Sequence, residues 1–184
     1  MAVVILMEPK KRKSRKLPKC VRAEEWDKLF AAIPAKDKKC RIAFVLAYES
    51  GMRLSEVLRF STDHFTKNTI FVPESKYGVE RNAPLPKDWR NLPEGWREKL
   101  SKQVPLKISG RTLQRKFKQY CKEVNLNPLY TFHSLRHGFA VRCLERGMPI
   151  NQLQDFLGHA NIATTSIYVK ANPVDAIKSY EDFF

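Results

Sequence analysis

The chain has no hydrophobic stretch long enough to cross a membrane. Its most apolar run, MAVVILM at the start, lasts about seven residues where a spanning helix needs roughly twenty. The same run lacks the charge-first order and cleavage site of a secretory signal. CxxC pairs are missing too. Cys20, Cys40, Cys121 and Cys143 are widely spaced, which argues against a zinc site and, in a chain of 184 residues, against a secreted disulfide framework. They are expected as reduced thiols of an intracellular protein. No internal repeat is visible, nor an Asp/Glu cluster suited to a pair of catalytic metal ions. Acidic residues are in deficit overall, 19 against 34 basic, leaving a net charge of +15 and a pI near 9.8. That balance predicts attraction to polyanions, nucleic acid first among them. A highly soluble protein with a charged surface is the plainer alternative.

Part of the charge is local. Residues 9–19, PKKRKSRKLPK, are basic without one acid and read as a linker, a backbone contact to DNA or a nuclear address, the first two favoured. Residues 1–19 are accordingly set apart as a basic tail or linker, and 20–184 as one folded domain. That domain is expected to be α+β, mainly α, with one small antiparallel sheet.

Trp26, Leu29, Phe30 and Ile33 have helical spacing, and Pro34 ends that helix. Further helices are expected over 37–50, with Gly51 as its stop, and over 54–60. Thr69-Ile70-Phe71-Val72 reads as a strand, and Arg81 to Leu85 as its return, in a hairpin or three-stranded sheet with Lys76 near the turn. The Pro-rich stretch 86–108 yields only a possible helix at 94–102. Helices resume over 110–124 and 133–146, with Gly147 just past the end. Pro149 is expected in the first turn of the next helix, which ends near Leu157-Gly158. Asn161 is a plausible cap for a helix carrying Tyr168, and a last helix starts at Asn172-Pro173.

Six side chains recur in one order: Arg53, Lys76, His133, Arg136, His159 and Tyr168. Together they have what breaking a phosphodiester without a metal requires. Guanidiniums bind phosphate oxygens in pairs, imidazoles move or orient protons, an ammonium can protonate a leaving oxygen, and a phenol can attack. His133 and Arg136 stand three apart, on one helix face. Glu56, three after Arg53, can fix that guanidinium. His137 makes an i,i+4 pair with His133. A metal is rejected there, because HSLRH lacks the glutamate of a zinc protease helix and Arg136 would repel a cation. Taken singly, each residue has an ordinary reading: a solvated helix face, a surface lysine, a core tyrosine. Arg59 is read as surface.

The segments ESGMRLSEVL, SKYGVERNAPLP and TFHSLRHGFAVRCLERGMPINQLQDFLGHANIATTSIYVKA resemble the catalytic domain of the tyrosine recombinases, the phage-integrase and Xer class, over roughly residues 20–175. The resemblance implies that Arg53 and Arg136 clamp the scissile phosphate and that Lys76 protonates the 5′-hydroxyl. It implies that His133 assists proton transfer, His159 hydrogen-bonds the phosphate, and Tyr168 forms a 3′-phosphotyrosine, with Glu56 supporting. It implies site-specific recombination or integration, with no cofactor and no metal. The implied partners are double-stranded DNA and, on DNA, a tetrameric synapse of like chains. The implied location is cytoplasmic and DNA-associated, in a prokaryotic or viral host cell.

Two other functions stay open beside it: a type IB topoisomerase-like nicking and closing activity, and a non-catalytic basic DNA-binding module. Members of the class usually carry an N-terminal helical domain, so a fragment is expected in preference to a minimal integrase. Weak, salt-dependent duplex binding follows. Val174, Ile177, Tyr180, Phe183 and Phe184 form an amphipathic tail expected to dock on a partner in the DNA-bound assembly.

Overall fold

The computed structural model describes residues 19–66, 68–73, 80–93 and 95–158. Lys76, His159, Tyr168, the Asn161 cap, residues 1–18 and the 172–184 tail lie outside the described residues.

Within them the order is α1 (Ala23–Ala32), α2 (Lys38–Glu49), α3 (Leu54–Arg59), a 3-10 turn (Thr62–His64), β1 (Thr69–Val72), β2 (Arg81–Pro84), α4 (Lys87–Arg90), α5 (Trp96–Ser101), α6 (Gly110–Glu123), α7 (His133–Glu145) and α8 (Ile150–Leu157). The expected α+β, mainly α architecture is what the chain forms. The helix starts follow local chemistry. Asp37 caps α2 by accepting from the Cys40 amide, and Ser109 caps α6 by accepting from the Thr112 amide. Pro149 is the residue before the first turn of α8, one position earlier than expected.

The main core lies between α1, α2, α3, α6, the start of α7 and the sheet. Phe44 on α2 meets Phe117, Tyr120 and Phe132 edge to face, with ring centroids 5.6, 6.3 and 5.7 Å away. A smaller cluster joins Phe139, Val141 and Leu144 of α7 to Leu153 and Leu157 of α8. α7 is therefore buried on nearly all sides and serves as the central helix of the fold.

Among the described residues the sheet has two antiparallel strands, with Thr69 opposite Pro84 and Val72 opposite Arg81. An isolated bridge between Phe65 and Ile70 is the only trace of a third strand there. Alternation puts Ile70, Val72, Arg81 and Ala83 inward, and leaves Phe71 and Asn82 outside. The Pro-rich stretch is held by an aromatic group: Trp89 and Trp96 pack on Phe65, with centroids at 6.2 and 5.4 Å, and Trp89 also meets Phe60. No described helix is long and apolar enough to cross a membrane. All four cysteines are free.

Candidate active site

The turn after α2 builds the first half of the site. Gly51 has φ +64, a left-handed conformation that side chains rarely adopt, and a Cβ there would lie 2.6 Å from Cδ1 of Phe139. Glycine lets the chain press against α7 and turn straight into α3. Arg53 is the residue before α3, and Glu56 lies three residues on. One Glu56 oxygen, Oε2, accepts from the Arg53 amide at 2.6 Å, closing the open end of the helix. The other, Oε1, accepts from the Arg53 guanidinium at 2.9 Å. The pairing expected from their spacing is present, on a buried carboxylate rather than an exposed one.

α7 supplies the second half. Arg136 is 1% exposed, the largest fully buried side chain among the described residues. Its Nη1 donates to the Gly51 carbonyl and its Nη2 to the Leu157 carbonyl, both at 2.6 Å. Nη1 also lies 3.9 Å from Glu56 Oε2. Arg53 reaches the same helix end, donating from Nη2 to the Gly158 carbonyl at 2.8 Å. Gly158 is left-handed, with φ +59, and so ends α8 with its last carbonyls turned toward the two arginines. The negative end of α8 thus anchors both guanidiniums.

A third arginine enters that the sequence reading did not single out. Arg81 of β2 points inward and donates from Nη2 to Glu56 Oε2 at 2.8 Å, with both side chains buried. The signal was strand parity: Arg81 alternates with Ala83 and Leu85, both buried, so a cation was being placed inside and needed a partner.

Three guanidiniums share one carboxylate. Burial alone would raise the Glu56 carboxyl. Arg81, the Arg53 amide, Arg136 and Arg53 outweigh burial and hold it below the ordinary range. Glu56 is therefore ionised at neutral pH, and among the described residues the cluster is still net positive.

His133 is the first residue of α7 and stands at the exposed rim. Its face toward the protein is crowded, and that crowding, then Arg136 and Arg53, pushes the imidazole down to about 4. Next to it, His137 is half-buried and is pushed to about 4 by burial, then by His133 and Arg136. The two rings meet edge to face at 4.6 Å. Equal spacing on α7 thus hides unequal depth: His133 faces solvent and Arg136 the interior. Arg59 is exposed, as expected. The structure brings together Arg53, Glu56, His133 and Arg136; Lys76, His159 and Tyr168 fall outside the described residues.

Residues 19–174 match the phage integrase family. The chain belongs to that family. It is 32% identical to the tyrosine recombinase XerA of Pyrococcus furiosus over 84% of its own length and 58% of that protein's. It thus spans about three-fifths of that curated relative. A crystal structure of XerA recombinase superposes with a TM-score of 0.72 at 20% identity, covering 92% of this chain and 66% of the other. A lambda integrase tetramer bound to a Holliday junction gives 0.61 at 23% identity, covering 81% and 49%. At these identities the superpositions establish the fold.

Proposed function

We propose that the chain is the catalytic part of a tyrosine-type site-specific DNA recombinase. The observation that carries this reading is the convergence of Arg53 and Arg136 on one buried carboxylate, from positions 83 residues apart, in a cluster with more cations than anions. Among the described residues this leaves positive charge to meet an external anion. A phosphodiester of duplex DNA supplies one, and the guanidiniums stabilise the charge that builds on its oxygens during attack.

The reaction follows from the side-chain set. The Tyr168 oxygen attacks phosphorus and loses its proton, and the bond to O5′ breaks. O5′ takes a proton from the general acid, assigned to Lys76. The DNA is left with a 3′-phosphotyrosine and a 5′-hydroxyl. A 5′-hydroxyl from a second strand reverses the step, because the tyrosyl ester keeps the energy of the broken linkage. His133, neutral at pH 7, accepts or relays a proton at the rim, and His159 hydrogen-bonds the phosphate. No step calls for a metal or a cofactor.

The partners are duplex DNA and further copies of the chain. The lambda integrase relative is a tetramer on a Holliday junction, and a four-copy synapse is proposed here by analogy. The domain division, a basic lead to residue 19 and a catalytic unit from 20 to 184, belongs to the same proposal, as does a cytoplasmic, DNA-associated location.

A two-duplex assay tests the function. The protein, supplied with its N-terminal domain where it has one, is given supercoiled plasmid carrying two target sites. Recombinant products are expected. Relaxation alone would favour a nicking-closing enzyme, and binding without either product would leave a DNA-binding module.

A further inference from the structure

Arg81 is a poor residue for stability where it stands. Its side chain is 4% exposed. Nη2 has Glu56, but Nε and Nη1 are buried without a hydrogen-bond partner. Burying a guanidinium with donors unsatisfied is unfavourable, and apolar residues of similar volume often replace buried ion pairs at no loss of stability. Stability does not account for this arginine; its position does.

Arg81 opens β2, in the last pair of the hairpin before the connection from β1. From there it grips Glu56 Oε2, the oxygen that also accepts the Arg53 amide. The other Glu56 oxygen holds the Arg53 guanidinium. Arg53 is the partly exposed member of the three arginines, so it depends most on a fixed partner. With Arg81 removed, Glu56 keeps its bonds to Arg53 but loses the charged hydrogen bond from β2 to Oε2. An open pocket of about 420 Å³ adjoins Arg81, lined by Asn82, Gln154 and Phe156 among others.

We propose that Arg81 is a positioning residue for strand cleavage: through Glu56 it sets the direction in which Arg53 presents its guanidinium to the scissile phosphate. The role rests on the recombinase reading above. Arg81 itself touches no reacting atom.

The test compares covalent adduct formation on nicked duplexes carrying either an ordinary phosphate or a methylphosphonate at the cleavage position. The methylphosphonate removes the negative charge that Arg53 neutralises. Arg81→Met, assayed per folded molecule, is expected to lose about ten-fold or more in adduct rate on the ordinary phosphate, against under about three-fold on the methylphosphonate. Added to Arg53→Ala, it is expected to cost under about two-fold further, because both changes remove one function. Arg81→Lys, which keeps the charge but not the planar fork, is expected to show the same pattern more weakly and serves if Arg81→Met does not fold.

Equal loss on both linkages, additive losses in the double variant, or a wild-type rate would overturn the role. A wild-type protein that forms no adduct on either linkage would instead overturn the cleavage reading, and this role with it.

Discussion

Two of the carboxylates that tie distant parts of this chain together, Asp37 and Glu56, are balanced differently. Asp37 caps α2 and binds the Lys116 ammonium and the Tyr120 hydroxyl of α6, the latter at 2.8 Å. One acid meets one cation, at a site still touched by solvent. Glu56 closes α3 and, itself buried, meets three guanidiniums: the partly exposed Arg53 before α3 and the buried Arg81 of β2 and Arg136 of α7. The Asp37 tie is complete as it stands and staples two helices. Among the described residues the Glu56 tie holds more positive charge than it neutralises, and the proposed function assigns that surplus to an anionic substrate.

The comparison can be broken by removing each acid. Glu56→Gln keeps the shape and takes away the charge that three buried or half-buried arginines share. Loss of one partner from a buried ion pair costs about 3–5 kcal/mol, and urea unfolding should show a loss of that order. Added inorganic sulfate should recover part of it if the surplus charge is real. Next comes Arg136→Ala. By analogy with the loss of one oxyanion donor, cleavage should slow by a factor corresponding to roughly 3–4 kcal/mol, read as the rate of covalent adduct formation. A wild-type rate would remove Arg136 from the phosphate site.

Asp37→Asn should be milder. It weakens one part-buried charged contact and a capping bond, for about 1–2 kcal/mol of stability, and should leave the cleavage rate per folded molecule unchanged. A fall in cleavage would show that the two ties are not separate.

Acid sharpens the contrast further. Burial holds the half-buried His137 down at about 4 in the folded chain, and His133 at the rim is shifted in the same direction, against about 6.5 unfolded. The unfolded chain therefore binds more protons as pH falls from about 6.5 toward 4, and stability should decline across that window. Glu56 and Asp37 both lie below their ordinary values. Their contribution is present above the unfolded carboxyl pKa, about 4, and is lost as pH falls through their folded values. Urea midpoints measured from pH 7 to 3 should thus fall first with the histidines and then with the carboxyls. Replacing His137 by Asn should flatten the first part only. The smallest effect belongs to the exposed pair of Glu98, in the first turn of α5, and Lys102, just past its end, 3.2 Å apart. Glu98→Ala should change stability by less than about 0.5 kcal/mol.

What the sequence discloses depends on whether neighbours in space are neighbours along the chain. Arg53 and Glu56 are legible as a pair because three residues at a helix start bring them together. Arg136 can be proposed as a phosphate ligand only beside the whole motif set, and its burial is not legible at all, because spacing on α7 specifies direction but not depth. Arg81 escaped notice although strand parity placed it inside; its partner lies 25 residues away and is set by how β2 meets α3. The single turn α4, Lys87–Arg90, has no periodicity of its own. It exists because Trp89 is captured by Phe60, Phe65 and Trp96, a tertiary cause that local propensity does not carry.

The account turns on whether the positive cluster serves a covalent cut in DNA. Nicked duplexes spanning varied sequences, incubated with the protein and resolved on a denaturing gel, report this directly. A slower band that is sensitive to protease, carries the DNA by its 3′ phosphate and vanishes in Tyr168→Phe is the predicted result. An adduct that survives in Tyr168→Phe, or cleaved DNA with no protein attached, would contradict it.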